Sequence, residues 1–185
     1  MAEYYLIAQL PSLDGIGENT ALPITEERFM ELCGQLLGEK ERRVLAGLTL
    51  LPPKNHERSG SALIEAWNEG ERNLRFALGK ARAEKMKKMF DTQNRSFSPE
   101  LIKAANTAAE MENPLEAEKF LNRYRLDFLE TLRPIDTFSK DFVCYYGLRL
   151  KLLARLRKFD TEIGESAYRN IYNSILDGEG SEAET

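Results

Sequence analysis

Apolar residues recur at helical spacing along almost all of the chain after residue 24, and strict alternation of apolar and polar positions is nearly absent. Apolar positions at i, i+3, i+4 and i+7 form one stripe on a helix and leave its other face polar, so this pattern predicts amphipathic helices. The expected fold class is all-α, a helical bundle of about six to seven helices with one long central helix.

Polar capping residues mark where these helices begin. A Ser, Thr or Asn side chain can accept a hydrogen bond from a free backbone N–H of the first helical turn, and proline fits the first helical position. These signals predict helix starts at Thr25, Ser61, Ser98–Pro99, Asn113–Pro114 and within residues 136–139.

Glycine and proline predict where several helices end. The first helix should end at Gly38, and a short second helix should run through Leu51 into the prolines at 52 and 53. The longest helix should continue from residue 61 to Phe90, although it contains Gly70 and Gly79. Each of these two glycines indicates either a bend or a close neighbour. A final helix is expected over residues 167–175.

The two ends of the chain carry different signals. Residues 4–10 are a short apolar run, which we interpret as a helical or extended segment docked in the core. Residues 177–185 hold four acidic residues and no apolar residue larger than alanine, so we expect a disordered acidic tail. Residues 1–176 should form a single helical domain, and any subdivision should fall near residues 91–98.

Composition excludes several classes of protein. The chain has 185 residues, of which 42% are hydrophobic, but its apolar runs are far shorter than a bilayer span. Its start also lacks a basic segment, so we expect it to be neither secreted nor membrane-spanning. Two cysteines and one histidine are too few for a disulfide framework or a multi-histidine metal site.

No residue pattern in the chain indicates catalysis. His56 lies in a Pro/Asn/Arg loop without a serine or cysteine nucleophile motif, and Gly15 and Gly17 lack the rest of a phosphate-binding loop. Cys33 and Cys144 fall on apolar helical faces, where we expect them to act as small hydrophobic residues. We therefore predict no catalytic residue, no cofactor and no metal.

The charges are segregated along the chain. The net charge is −4, but the four carboxylates of the tail account for it, so the body is close to neutral. Eight basic residues lie between Arg72 and Arg95 against two acidic ones. A second basic run contains no acidic residue and is our candidate partner-binding surface; its members are Arg149, Lys151, Arg155, Arg157 and Lys158.

Three stretches resemble the funnel-shaped C subunit of the V/A-type ATPase central stalk, called the d subunit in eukaryotes, and a shorter uncharacterised bacterial family encoded among V-type ATPase genes. One is the opening Tyr-Tyr-Leu-Ile-Ala-Gln-Leu-Pro-Ser-Leu at 4–13. The next is Leu-Pro-Ile-Thr-Glu-Glu-Arg-Phe at 22–29 with the helix after it. The third is Asn-Pro-Leu-Glu at 113–116 leading to residue 124 and followed by 142–157.

This resemblance implies an all-helical, non-catalytic protein that couples the soluble rotor to the membrane ring or helps the complex to assemble. Its implied partners are V-type ATPase subunits of the central stalk or membrane ring, and its implied location is cytoplasmic, peripheral to the inner membrane through that complex. The chain departs from the funnel-shaped subunit in being shorter and in carrying Lys151 and Ala154 where that subunit has an Asp and an Asn.

Two other classes of function stay open. A helical enzyme would assemble carboxylates and basic residues into a concave cleft with perturbed pKa values. A basic adaptor would bind RNA or an acidic protein through its positive runs, which could also meet anionic lipid headgroups or only solvent. RNA is the weakest of these choices because aromatic residues are not interleaved with the runs.

Overall fold

The computed structural model describes residues 2–17, 20–54, 59–92, 95–158, 166 and 168–173. In this part of the chain the secondary structure is entirely helical, which confirms the all-α fold class. The seven main helices are α1 Ala2–Gln9, α2 Glu26–Leu36, α3 Glu39–Ala46, α4 Ala62–Lys85, α5 Pro99–Glu110, α6 Pro114–Thr131 and α7 Lys140–Arg157.

Helix α7 is the most enclosed element. Ten of its eighteen residues are buried, whereas the longest helix, α4, buries nine of twenty-four. Helix α7 packs against α1, α2, α3, α4 and α6, while α5 packs on the opposite side against α4 and α6. Near its C-terminus α7 is linked to α2 by the pair Lys151–Glu26 and to α6 by the pair Arg155–Glu118.

The buried apolar residues form two clusters. The large cluster unites α1, α2, α3, α7 and the first turns of α4, and it contains Trp67, Phe29 and many leucines. The alanine-rich cluster joins the later turns of α4 to α5 and the start of α6. Both α4 and α6 contribute to both clusters, so these two helices connect the halves of the bundle.

The predicted capping residues are confirmed. The side chains of Thr25, Ser61, Ser98, Asn113 and Ser139 each accept a hydrogen bond from a backbone N–H in the first turn of the helix that follows. The apolar segment near the start of the chain is helical, as α1, and its Leu6 is fully buried in the large cluster. A cap needs only neighbours in sequence, which is why these starts were predictable.

The long helix is shorter than predicted, because α4 ends at Lys85 and not near Phe90. Lys87 adopts a left-handed backbone with φ of 55°. The N–H groups of Lys87 and Lys88 then bond back to the carbonyls of Glu84 and Ala83 at 3.0 and 2.8 Å. This is a Schellman ending, which usually has glycine at the left-handed position, so the sequence lacked its common signal.

Helix α3 also differs from the prediction. It ends at Ala46, where Gly47 caps it, so Leu48 and Leu51 lie in the segment that follows and not on the helix. Gly38 is the residue before α3, while α2 already ends at Leu36. Leu48 turns inward and fills the large cluster beside Gly147 of α7.

The two glycines of α4 allow close packing and do not break the helix. A Cβ at Gly70 would lie 2.3 Å from the ring of Phe128 on α6. A Cβ at Gly79 would lie 2.6 Å from the ring of Phe90, which folds back from the segment after α4. Of the two alternatives, the structure therefore supports the close neighbour.

The end of the chain is described only in part. Residues 168–173 are helical, in agreement with the expected final helix, but their Tyr168, Ile171 and Tyr172 side chains are exposed. His56 and the predicted acidic tail at 177–185 lie outside the described residues.

Candidate functional site

A broad cleft opens at the C-terminal end of α7, between the segment 47–54 and the beginning of α4. Its cavity volume is about 1240 Å³. The apolar part of its lining comes from Val44, Leu48, Leu50, Leu51, Pro52, Pro53 and Ile64. Among these Leu51 is 59% exposed, so an apolar side chain faces solvent inside the cleft.

Among the described residues, five cationic side chains surround this apolar surface, against the single carboxylate of Glu26; they are Arg43, Lys54, Lys151, Arg155 and Lys158. Arg43, Lys54 and Lys158 are exposed, whereas Lys151 and Arg155 are half-buried. We call this site the basic cleft. Its excess of positive charge favours an anionic occupant.

Helical periodicity brings three of these cations together. Lys151, Arg155 and Lys158 are spaced i, i+4 and i+7, which places them on one face of α7 and its C-terminal cap. At a rise of about 1.5 Å per residue, they cover about 10 Å of the cleft wall. Cations near a helix C-terminus also interact favourably with the helix dipole, so this arrangement does not oppose folding.

The opposite wall is held by contacts that reach across the fold. Arg72 of α4 donates a hydrogen bond to the carbonyl oxygen of Pro53 at 3.1 Å. The hydroxyl of Thr49 donates to the carbonyl of Leu51 at 2.5 Å, and Leu48 packs into the large cluster. Arg72 thus ties the segment 47–54 to α4, and Leu48 packs it against α7.

Carboxylates of the chain already neutralise part of the positive charge. Lys151 Nζ lies 2.8 Å from Glu26 Oε2, Arg155 pairs with Glu118 of α6, and Arg43 pairs with Glu39 of α3. The pKa of Glu27 is lowered, mainly by hydrogen bonding to its own backbone N–H, then by the Thr25 hydroxyl, and further by the charges of Lys151 and Lys158. The cleft cations thus influence carboxylates on the neighbouring helix.

The structure divides the predicted basic surface. Lys151, Arg155 and Lys158 line the basic cleft, but Arg149 and Arg157 do not. Arg149 lies elsewhere on α7, where it pairs with Glu130 and lies 3.5 Å from Asp14. The five residues therefore do not form one continuous surface, because α7 carries them on different faces.

Sequence reasoning missed Arg43 and Lys54. Arg43 lies on α3, and Lys54 follows two prolines in a segment without periodicity. Each is about a hundred residues from the α7 cations with which it shares the cleft, so only the tertiary fold brings them together. Among the cleft cations, only those of α7 belong to a run of like charge, so only they could be recognised from the sequence.

A buried polar network lies next to the cleft. Glu71 of α4 and Arg125 of α6 are 2% and 6% exposed and form a two-pronged ion pair, with N–O distances of 2.9 and 3.1 Å. Arg125 also reaches Glu118 at 3.3 Å, and Glu118 in turn binds Arg155 at the cleft. The network lies between the two hydrophobic clusters and connects the cleft to the boundary between them.

Four of the eight basic residues in the first basic run are paired with a carboxylate. Arg72 and Arg95 both bind Glu69, Arg75 binds Glu71, and Lys80 lies 3.8 Å from Glu84. The guanidinium of Arg95 also lies over the ring of Phe76 at 4.9 Å. Three of these pairs join residues three or four positions apart, which is typical of a solvated helix surface.

The two cysteines are buried, as predicted. Burial raises the pKa of both thiols to about 12, and the nearby Cys144 adds to this effect at Cys33. Such thiols stay protonated at neutral pH, which is typical of structural cysteines. Within the described residues, no group of three or more His, Cys, Asp or Glu side chains is placed to hold a metal ion.

None of the helices in the described part of the chain has both the length and the apolar character needed to cross a bilayer. Comparison of the chain with protein-family models, with curated proteins and with solved structures gives no match.

Proposed function

We propose that this protein is a non-catalytic subunit or accessory protein of a V-type ATPase, and that it binds its partner through the basic cleft. The cleft is the observation that carries the proposal. It combines an apolar surface with five cationic side chains, which is the composition of a docking surface with a polar rim. The identity of the complex rests on the resemblance of three stretches to the funnel-shaped central-stalk subunit and its shorter relatives.

The stretches that carry the resemblance lie close to the proposed site. The opening stretch forms α1 and the loop after it, where the carbonyl of Pro11 accepts a 2.8 Å hydrogen bond from the Tyr146 hydroxyl of α7. The second stretch leads into α2, whose first residue, Glu26, lines the cleft. The last part is α7 itself. All of them support the helix that presents the cleft cations.

A coupling or assembly subunit must keep its docking surface in a fixed geometry under load. The walls of the cleft are anchored in the large cluster, whose closely packed leucines and aromatic residues resist deformation. The charged rim would orient the partner, while the apolar surface would contribute most of the affinity. This division suits a stalk or assembly role at the membrane surface.

Affinity isolation from the native cell tests this function. The full-length tagged chain should retain V-type ATPase subunits, and a cleft variant, Arg43→Glu/Lys54→Glu/Lys158→Glu, should retain about tenfold less, since three charge reversals on a rim remove roughly 1–2 kcal/mol. The matched control is Arg82→Glu/Lys88→Glu/Lys103→Glu, which changes three exposed basic residues outside the cleft. Failure of the wild-type chain to retain any ATPase subunit would contradict the proposal.

A further inference from the structure

The size of the basic cleft indicates the kind of occupant. Its volume of about 1240 Å³ exceeds the range of roughly 300–1000 Å³ usual for small-molecule sites. It is also open to solvent, so an extended body could lie in it. These features fit a segment of polypeptide better than a metabolite.

The apolar lining indicates that the occupant has an apolar face. Leu51 is exposed at the cleft, and Val44, Leu50 and Pro52 are half-buried beside it. Purely ionic ligands, such as phosphate, would leave this surface in contact with water. A helix with leucine-like residues on one side would cover this surface, and removing the apolar area from water would favour binding.

The spacing of the cations indicates the charge pattern of the occupant. Lys151, Arg155 and Lys158 repeat at i, i+4 and i+7 along α7. A second helix lying along α7 presents carboxylates at the same interval of about 10 Å when its acidic residues have that spacing. Lys151 and Arg155 already pair with Glu26 and Glu118 of this chain, so a carboxylate of the partner would share these two cations with them.

The same cleft is poorly suited to single-stranded nucleic acid. Among the described residues, none of those that line it is aromatic. Sequence-tolerant binding of RNA usually relies on bases stacked against aromatic side chains along a basic groove. Charge alone therefore does not favour RNA here, and a protein segment accounts for both the cations and the leucines.

We infer that the basic cleft binds an acidic amphipathic helix of a partner protein, with carboxylates at i, i+4 and i+7 facing α7 and apolar residues facing the segment 47–54. This inference rests on the proposed function, since it identifies the chemistry of the partner at the same site. Charge complementarity and the exposed Leu51 are the observations that select this occupant.

A titration with designed peptides tests the inference on the purified full-length protein. The probe is a fluorescein-labelled synthetic helix with a leucine stripe flanked by glutamates at i, i+4 and i+7. Fluorescence anisotropy should show saturable binding, with affinity reduced about tenfold when the glutamates are replaced by glutamine and again when the leucines are replaced by serine. The cleft variant Arg43→Glu/Lys54→Glu/Lys158→Glu should lose about tenfold, and the Arg82/Lys88/Lys103 reversal should bind as wild type does.

A substitution at Leu51 separates apolar from ionic recognition. Leu51→Ser changes an exposed side chain and should leave the folded protein intact, which circular dichroism checks. The substitution should weaken binding of the leucine peptide by about fivefold. Binding of the serine peptide should not change, because only the leucine peptide covers residue 51. Equal loss for both peptides would overturn the assignment of the apolar face.

Other occupants are separate outcomes of the same titration. Oligouridylate that binds more tightly than the acidic helix and displaces it would overturn the inference in favour of RNA. Deletion of residues 177–185, which carry four carboxylates, should leave peptide affinity unchanged. A rise of more than tenfold in peptide affinity on deletion would show that the chain's own terminus occupies the cleft. That result would also overturn the inference.

These results are distinguishable from failure of the proposed function. Peptide binding without retention of ATPase subunits in the cell would remove the assignment to that complex and leave the chemistry of the cleft intact. Retention of ATPase subunits without selective peptide binding would support the assignment to that complex and overturn the inferred chemistry of the cleft. An equal affinity for the glutamate and glutamine peptides would overturn the inference whichever complex the protein joins.

Discussion

The two hydrophobic clusters are built from different side chains and serve different purposes. The large cluster packs leucines, Trp67 and Phe29 around α7, whereas the alanine-rich cluster brings α4 and α5 together through Ala77, Ala81 and Ala105. Bulky interlocking side chains fix the positions of several helices at once, while small ones let two helices approach closely. The basic cleft lies on the large cluster, where its walls have the firmer support.

The boundary between the clusters should be the most sensitive place in the fold. Arg125→Met would remove one partner of the buried pair and leave Glu71 with only the half-exposed Arg75. We expect a loss of about 3 kcal/mol in the free energy of unfolding, at the lower end for broken buried pairs because Arg75 remains. Urea unfolding followed by circular dichroism measures it.

A double substitution is the control for that experiment. Glu71→Leu/Arg125→Met replaces both charges by apolar groups, so no buried charge is left alone, and we expect stability within about 1 kcal/mol of wild type or above it. A double variant as unstable as the single one would show that shape, and not charge, dominates at the boundary.

Alanine at the two glycines of α4 should cost different amounts of stability. Gly70→Ala should destabilise by about 1–3 kcal/mol, because the new methyl group meets the partly enclosed ring of Phe128 at 2.3 Å. Gly79→Ala should cost less than about 1 kcal/mol, since the ring of Phe90 is 41% exposed and can turn away.

Gly34 provides the matched control for those substitutions. It lies within α2, and a Cβ added there would have no neighbouring atom within 4 Å, so Gly34→Ala should stabilise by about 0.5–1 kcal/mol through helix propensity alone. The three thermal midpoints should therefore rank with Gly34→Ala highest and Gly70→Ala lowest. Equal effects at the three sites would contradict the packing difference.

The left-handed residue after α4 should tolerate glycine. Lys87→Gly should raise stability by about 0.5–1 kcal/mol, because it relieves the Cβ strain at a φ of 55°. Lys88→Gly, one residue further on and outside that backbone region, should lower stability slightly through chain entropy. A chemical denaturation curve for each variant distinguishes the two signs.

The smallest effect expected is an acid dependence at Glu130. Partial burial acts to raise the pKa of Glu130, but hydrogen bonds from Tyr145 and Arg133 and the charge of Arg149 outweigh it and hold the pKa below its ordinary value. A carboxylate with a lowered folded-state pKa stabilises the fold above its unfolded pKa and loses this contribution as the pH falls through the folded value.

Glu130→Gln tests this dependence. The pair is partly exposed, so the contribution is a few tenths of a kcal/mol and up to about 1 kcal/mol. The urea midpoint of the wild type should therefore fall more between pH 7 and pH 3 than that of Glu130→Gln. Parallel pH profiles for the two proteins would contradict the assigned role.

The features that could be predicted from the sequence are those whose signals lie within a few neighbouring residues. Capping by Thr25 or Ser98 requires only the next three residues, so these helix starts are visible in the sequence. The end of α4 was misplaced because a lysine takes a position usually given to glycine. The run of cations on α7 was visible as a run, but its division between two faces depends on which face packs inward.

The buried ion pair and the basic cleft depend on contacts between residues that are far apart in the sequence. Glu71 and Arg125 are separated by 54 positions, and each alone resembles an ordinary polar residue of a helix surface. The cleft likewise needs the segment 47–54 to fold against α7, which Arg72 secures through Pro53. No periodicity indicates such contacts, so the fold class and the α7 cations could be predicted from the sequence, whereas the assembled cleft could not.

Site-specific photo-crosslinking in the native cell tests the central claim most directly. A photoreactive phenylalanine analogue replaces Leu51 in the basic cleft or, as control, Lys103 on the exposed side of α5. We predict crosslinks from position 51 to an acidic helix within the V-type ATPase complex, and none from position 103. Absence of a crosslink at position 51, or the same products from both positions, would contradict the account.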